Sequence, residues 1–233
     1  MKRFYKEVAA DLVDGGWQVT LDGRGIKTVK GAPQIVPSEA LALAMAAEWG
    51  AQGEKIDPAS FVFRDMVDYA IDVVAPDPAA LVEKVSTYGD TDTLLYRADP
   101  DEPLFERQQE IWEPIVTAVE AREGIELVRV SGIVHRPQSD AAMARLSARL
   151  AEQTPFALAA TEAMASLAAS LLIGLSALAT AQEDAALALW QAACLEEEWQ
   201  ADLWGRDYEA EERRAKRRAD FLNAWRMARL ATA

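Results

Sequence analysis

The sequence predicts an α+β protein with a small β-rich N-terminal domain followed by a larger, mainly α-helical C-terminal domain. Near the N-terminus, in "GWQVTLDGRGIKTV", apolar residues alternate with polar ones around Asp22-Gly23, a pair that is typical of a β-hairpin turn. From about Ile56 onward the apolar residues recur at helical spacing between prolines and glycines. This change of period predicts two domains, at residues 1–56 and 57–233.

A helix is predicted to close the N-terminal domain. It begins after Ser38, a good N-cap, and places Met45 and Trp49 on its apolar face. In the C-terminal domain, Pro103 and Gly124 are typical of the start and the end of a long helix. Pro114 lies within that helix as a site for a kink. The segment "IELVRVSGI" at 125–133 predicts a short strand, and further helices are predicted at 139–153, 163–181, 182–204 and 207–231.

The stretch "AMASLAASLLIGLSALATA" at 163–181 carries no charged residue and is long enough to suggest a membrane span. Alanine, serine and glycine dominate it, however, and these residues contribute little to membrane insertion. We interpret the stretch as a buried central helix that packs closely through its small residues. A membrane-embedded protein is the less favoured alternative.

Composition excludes several classes of function. The chain has 24 basic and 38 acidic residues and a net charge of -14, which repels the phosphates of nucleic acids. The basic run "RRAKRR" at 213–218 follows the acidic "EAEE" at 209–212, so pairs such as Glu209 with Arg213 and Glu212 with Lys216 predict a solvated helix face. A single cysteine, Cys194, allows no internal disulfide.

Motifs for catalysis or metal binding are missing from the sequence. "LDGRGIKT" at 21–28 lacks the spacing of a phosphate-binding loop, and no G-x-S-x-G motif occurs. The acidic stretch from Asp90 to Asp101 lacks the glycine and the closing glutamate of a calcium-binding EF-hand loop, and it indicates instead that Asp92 caps an apolar turn. We therefore predict no catalytic residue, no metal and no cofactor. The N-terminus has no apolar signal-peptide core and no Arg/Ser-rich, acidic-poor leader, so a cytoplasmic or matrix-like location is expected.

The segment "LEEEWQADLWG" at 195–205 has the strongest functional pattern. If the segment is one continuous helix, residues spaced alternately four and three apart share one face. That face is a stripe that is apolar or aromatic except at Glu197, and it consists of Trp190, Cys194, Glu197, Ala201, Trp204 and Tyr208. Glu197 is therefore expected to face inward or toward a partner, while Glu196 and Glu198 lie to either side in solvent. Two interpretations are open. Glu197 forms an internal ion pair with an arginine such as Arg97 or Arg64, or it is an acidic anchor in a surface groove.

Several motifs together resemble a known family. They are "RFYKEV" at 3–8, "LDGRGIKT" at 21–28, "VPSEALALAMAAEWGAQ" at 36–52, "TDTLLYRADPDEPLFERQQEIWEPI" at 91–115 and "LEEEWQADLWG" at 195–205. In this order they cover nearly the whole chain, and they are similar to the ATP-twelve family, assembly chaperones of the catalytic head of the F-type ATP synthase. Because no presequence is seen before these motifs, the chain is expected to be a bacterial, cytoplasmic member; the eukaryotic relatives belong to the mitochondrial matrix.

What the resemblance implies is a chaperone without enzymatic activity that binds the unassembled ATP synthase alpha subunit until the beta subunit displaces it. Glu197→Lys is expected to abolish the rescue of alpha solubility. The expected partner-binding residues are Glu196, Glu197, Glu198, Trp199, Gln200, Trp204, Asp207 and Tyr208. The alternative function is a small-molecule enzyme in which Glu197 acts with Asp207 or Asp92 as acid and base.

Overall fold

A computed structural model, which describes residues 1–132 and 134–233, confirms the α+β fold class. By its internal contacts the chain divides into two compact units. The first consists of residues 1–78, 154–160 and 226–233, and the second consists of residues 79–153 and 161–225. The predicted boundary between residues 56 and 57 divides the chain into domains that fold independently. Compact units defined by contacts do not test such a boundary, so it stays a prediction.

The first unit contains a small antiparallel sheet. Strand β1 (Val8–Val13) pairs along its whole length with β2 (Gly16–Leu21). The predicted turn at Asp22-Gly23 then reverses the chain into the short strand β3 (Arg24–Gly25). Asp22 and Gly23 both have positive φ, 49° and 74°, as a tight hairpin turn requires. Strand β4 (Ile35–Val36) pairs with the other end of β2.

Helix α1 (Glu39–Gly50) begins at the predicted N-cap, since the Ser38 hydroxyl accepts a hydrogen bond from the backbone N–H of Leu41 at 3.2 Å. Its buried face includes Trp49, whose ring lies 5.5 Å from that of Tyr5 and 4.5 Å from that of Phe61. A short 3-10 turn (Pro58–Ser60), helix α2 (Val62–Tyr69) and a π-helical turn (Ala70–Val74) follow. Aromatic packing therefore joins the N-terminal segment to the helices of this unit.

Helices dominate the rest of the chain. They are α3 (Pro78–Asp90), α4 (Pro103–Glu123), α5 (Asp140–Ala151), α6 (Pro155–Ala168), α7 (Leu171–Ala179), α8 (Glu183–Ala193), α9 (Leu195–Trp204) and α10 (Tyr208–Leu230). Helix α4 continues through Pro114 and ends at Gly124, whose φ of 66° is left-handed. Of the strand predicted at 125–133, Val130–Ser131 forms β6, which pairs in parallel with β5 (Tyr96–Arg97); Ile133 lies outside the described residues.

The uncharged stretch at 163–181 is largely buried but is not one helix, so that part of the prediction is wrong. Helix α6 ends at Ala168, Ala169 takes a left-handed φ of 48°, and the Ser170 hydroxyl caps α7 by accepting from Ile173 N–H at 3.0 Å. Asp92 supports the same helix start by accepting from Leu172 N–H at 2.9 Å. Among the described residues, no helix is both long enough and apolar enough to cross a membrane.

Asp92 also has the capping role that the sequence predicted. Its second carboxylate oxygen accepts from Leu94 N–H at 3.0 Å and begins the 3-10 turn Thr93–Leu95. The side chain is fully buried, and this burial raises its pKa to about 6. One carboxylate therefore fixes two helix starts in the second unit.

Candidate functional site

The predicted site segment begins at a break in the helix. The sequence pattern predicted one helix over 182–204, but α8 ends at Ala193 and α9 begins at Leu195. Between them Cys194 has φ of -87° and ψ of 6°, which departs from α-helical geometry. The prediction of one continuous helix is therefore wrong. The direction of every side chain after Cys194 differs from the one that uninterrupted helical steps give.

The predicted apolar stripe consequently has two halves with opposite exposure. Trp190 and Cys194 are buried, with 2% and 3% of their surface exposed. Trp204 and Tyr208 are 86% and 75% exposed, and the neighbouring Leu203 is 63% exposed. We call Leu203, Trp204 and Tyr208 the apolar corner, because they lie where α9 ends and α10 begins. Exposed apolar side chains that lie together are a mark of interaction surfaces.

Glu197 does form an internal ion pair, one of the two interpretations left open by the sequence. Its carboxylate lies 2.8 Å from the Arg217 guanidinium and 3.5 Å from that of Arg214, both on α10. The Glu197 side chain is still 45% exposed, because the pairs form at the edge of the helix contact. Glu197 is therefore neither buried nor free.

The prediction that Arg97 or Arg64 pairs with Glu197 is wrong. The Arg97 guanidinium lies 3.1 Å from the Glu113 carboxylate, and it is almost completely buried. Arg64 pairs with the adjacent Asp65. The partners of Glu197 come instead from the basic run in α10, the helix that follows α9 in the chain.

Glu196 and Glu198 are not the simply solvated positions that the stripe predicted. Glu196 is half-buried and accepts a hydrogen bond of 2.7 Å from the Gln108 side chain, and burial raises its pKa. Glu198 lies 2.7 Å from Arg214 and 2.9 Å from Arg206. The restart of the helix at Cys194 explains the error, since Glu196 turns toward α4 and Glu198 toward α10.

The carboxylates and guanidinium groups around the α9–α10 turn form one connected set, which we call the α9–α10 ion network. Arg206 lies 2.9 Å from Asp202 and 3.2 Å from Glu211, and Arg214 lies 2.9 Å from the same Glu211. The full set is Glu197, Glu198, Asp202, Arg206, Glu211, Arg214 and Arg217. Each exposed pair contributes little by itself, but a network with shared partners fixes geometry better than an isolated pair.

Arg217 is also anchored outside this network. Besides its pair with Glu197, it donates a hydrogen bond of 2.9 Å to the backbone carbonyl of Leu167 on α6. Its guanidinium also lies over the ring of Trp190, 5.3 Å from the ring centre. The position of Arg217 is thus set by α6 and α8, so that Glu197 pairs with a charge held in place by the rest of this unit.

A groove with a volume of about 810 Å³ lies beside the network, lined by residues of α4, α8, α9 and α10. Apolar lining residues include Ile111, Trp190, Cys194 and Leu195, and charged lining residues include Arg107, Glu198, Glu211, Arg214 and Arg218. Burial raises the pKa of the Cys194 thiol to about 11, so the thiol is protonated and unreactive at neutral pH. The groove therefore offers an apolar surface with charges of both signs, and no activated nucleophile is provided by Cys194.

The other predicted site residues differ in exposure. Trp199 is half-buried, and Gln200 is exposed. Asp207 is also exposed and caps α10 by accepting from Ala210 N–H at 3.0 Å. Asp92 is buried, with both oxygens bonded to backbone N–H groups. These contacts do not support an acid and base pair between Glu197 and either aspartate.

Sequence reasoning missed Leu203, Gln108 and the three arginines of the network. Arg214 and Arg217 are three residues apart on one helix, so they share a face, and this spacing was the one available signal. Nothing in the sequence indicates which helix that face meets. Within residues 1–132 and 134–233 there is no group of three or more His, Cys, Asp or Glu side chains that could hold a metal ion.

Comparisons with known proteins show the class of protein to which this fold and site belong. A family profile for the ATP12 chaperone protein matches residues 2–120. The protein atp12, mitochondrial, of Schizosaccharomyces pombe is 27% identical over 217 residues, which are 88% of this chain and 74% of the relative.

Two solved structures share the fold over nearly their whole length. Atp12 from Paracoccus denitrificans is 36% identical with a TM-score of 0.91, covering 99% of this chain and 98% of that chain. A mutant of Paracoccus Atp12p, in which a lysine replaces an aspartate, is also 36% identical, with a TM-score of 0.92 and coverage of 99% and 97%. Membership of this family therefore makes the chain a chaperone. It belongs to the ATP12 chaperone family, the ATP synthase assembly chaperones that its motifs resemble.

Proposed function

We propose that this chaperone binds the unassembled ATP synthase alpha subunit, keeps it soluble, and releases it when the beta subunit takes its place. Family membership supports a role in ATP synthase assembly. The choice of the alpha subunit rests on the resemblance of the five motifs, from residues 3–8 to 195–205, taken together. No catalytic step or cofactor is part of this function.

The observation that carries the proposal is the apolar corner. Leu203, Trp204 and Tyr208 expose most of their surface to solvent, at a cost that burial against a partner removes. Tryptophan and tyrosine are the side chains that most often supply binding energy in protein interfaces. We therefore propose the corner as the centre of the contact with alpha.

Acidic and polar residues adjoin this corner in the sequence, with Arg206 between them held by Glu198 and Asp202. Asp207 and Gln200 are exposed beside it, and Trp199 is half-buried on the same helix. A partner surface that fits this arrangement has an apolar pocket for Trp204 and basic groups around that pocket. We propose that Trp204, Tyr208, Gln200 and Asp207 contact alpha, and that Glu196, Glu197 and Glu198 belong to the same functional segment.

Co-expression tests this function. The alpha subunit is produced with and without the tagged chaperone, and the soluble fraction is passed over an affinity resin. We expect soluble alpha only in the presence of the chaperone, recovered in complex with it, and we expect added beta subunit to release it. If alpha stays insoluble, or if it is soluble but does not bind the chaperone, the proposal is wrong.

A further inference from the structure

The glutamates of "LEEEWQADLWG" have internal partners, and this limits what they do in partner binding. A carboxylate whose oxygens already face internal cations has less charge and fewer lone pairs to offer a partner directly. The Glu197 oxygens lie 2.8 Å from Arg217 and 3.5 Å from Arg214, and those of Glu198 lie 2.7 Å from Arg214 and 2.9 Å from Arg206. Both side chains already have cations at their oxygens in the free chaperone.

All of these cations come from α10 or from the turn that precedes it. Breaking the Glu197 pair would therefore remove one of the two carboxylates that tie the first turn of α9 to α10 and its preceding turn. The apolar corner lies at the far end of the same two helices, where Gly205 joins them. A change in the α9–α10 contact consequently changes the direction in which Trp204 and Tyr208 project.

Arg217 makes this contact specific. It is held by the Leu167 carbonyl at 2.9 Å and lies over the Trp190 ring, so its position does not depend on Glu197 alone. Glu197, by contrast, has only the two arginines as partners among the hydrogen bonds and ion pairs of the described chain. The geometry thus has a direction, in which α6 and α8 fix Arg217, and Arg217 fixes Glu197 together with the first turn of α9.

We infer that Glu197 is a positioning residue: it acts in alpha binding through Arg217, by locking α9 onto α10 so that the apolar corner is presented, and it makes no direct contact with alpha. This inference rests on the proposed function and deepens it. Glu198 has the same role through Arg214 and Arg206. The charge of the acidic run is then needed inside the chaperone, and the alpha subunit needs no cation that matches Glu197.

A double-mutant cycle separates positioning from direct contact. Glu197→Gln removes the charge with little change of shape, and Arg217→Met removes the charge while its stem still covers Trp190. We expect Kd for alpha to rise about five-fold in Glu197→Gln and about ten-fold in Arg217→Met, and to stay at about ten-fold in the double variant, since one interaction is lost in each case. The matched control is Glu83→Gln, an exposed carboxylate on α3, which should leave Kd unchanged.

A second measurement uses the chaperone alone. Hydrogen exchange of the α9 amides, at 195–204, should be several-fold faster in Glu197→Gln than in the wild type, and no faster in the double variant than in Arg217→Met. This readout needs no partner. If the wild type fails to bind alpha, the proposed function is wrong, and the exchange data still decide whether Glu197 holds α9.

Two results would overturn the inference. The first is a double variant whose loss is the product of the single losses, about fifty-fold, because independent losses mean that Glu197 does not act through Arg217. The second is unchanged exchange of α9 in Glu197→Gln, because the side chain then positions nothing. Either result removes the positioning of α9 through Arg217 that is inferred for Glu197.

Discussion

Replacement of Trp204 by alanine removes the largest side chain of the apolar corner. Trp204 is 86% exposed in the free chaperone, so its removal takes away very little internal packing. The unfolding free energy should therefore change by less than about 0.5 kcal/mol, as for other exposed positions. Any large effect of the substitution must come from binding.

The expected effect on binding follows from the exposed area. A tryptophan side chain presents roughly 200 Å² of surface, and 86% of it is open to solvent before binding. Burial of all of this area at about 25 cal/mol per Å² gives roughly 4 kcal/mol as an upper bound. Incomplete burial and the ordering of the side chain reduce this value, so we expect a loss of about 2 to 4 kcal/mol, roughly 30-fold to 1,000-fold in Kd.

Fluorescence anisotropy measures this loss directly. The label is placed on the N-terminal amine, since Cys194 is buried and lines the groove. Alpha is titrated at concentrations low enough to remain soluble. Phe4→Ala is the matched control, because Phe4 is an aromatic residue that is 63% exposed in the first unit, and it should leave Kd unchanged.

Two outcomes refute the reasoning about Trp204. If Kd of Trp204→Ala stays within about two-fold of the wild type, the corner is not the centre of the contact. If Phe4→Ala weakens binding as much as Trp204→Ala does, alpha binds exposed aromatic side chains without regard to their place. A fall in unfolding free energy together with the loss of binding would show instead that Trp204 supports the fold.

Three further predictions concern stability and reactivity. The native pKa of Asp92 is about 6 and its unfolded value is 3.8, so the stabilisation linked to its protonation is complete below about pH 4 and is lost as pH rises through 6. The unfolding free energy of the wild type minus that of Asp92→Asn, measured by urea unfolding, should therefore fall by up to about 3 kcal/mol from pH 4 to pH 7. A difference that stays constant with pH would contradict a buried carboxylate with a raised pKa. Gly205 has φ of 96° and ψ of 154°, and a Cβ at this position would meet open space. Gly205→Ala should therefore lower the unfolding free energy by about 1 to 3 kcal/mol through backbone strain alone, as measured by urea unfolding. An unchanged urea midpoint would argue against this backbone conformation. Cys194 is 3% exposed, and its thiol has a pKa of about 11. Ellman's reagent at pH 8 should therefore modify the native chain at least about 100-fold more slowly than the chain unfolded in urea. Equal rates would show that the α8–α9 junction is open to the reagent.

Local signals in the sequence were enough wherever structure depends on neighbouring residues. The Asp22-Gly23 turn and the Ser38 cap were predicted, because each depends on backbone geometry within about four residues. The capping role of Asp92 was predicted for the same reason. Its second bond, to Leu172, spans 80 residues of sequence and had no local signal.

The two helix breaks could not be predicted from helical periodicity. Neither Ala169 nor Cys194 is a glycine or a proline, and the apolar pattern continues across both. At Ala169 the break becomes possible only because Ser170 and Asp92 together bind the free N–H groups of the next helix. Since Asp92 is distant in sequence, the break is a property of the tertiary structure.

The basic run at 213–218 shows the same limit. Glu209 lies 3.6 Å from Arg213, as the helical spacing predicted. Arg214 and Arg217 face α9 instead of solvent, since they are on the other side of the same helix. Their role was therefore hidden in a run that composition alone describes as a solvated face.

The acidic run has a further effect on the helix in which it lies. Helix α9 starts at Cys194 without a side-chain cap, so the N–H groups of its first turn lack the usual acceptor. Glu196, Glu197 and Glu198 all lie in that first turn, where negative charge is favoured by the helix dipole by about 0.3 to 1 kcal/mol for each group. The same carboxylates then reach Gln108, Arg217 and Arg214. The run thus places favourable charge at the uncapped start of α9 and joins that start to α4 and α10, in a helix that restarts without a glycine or a proline.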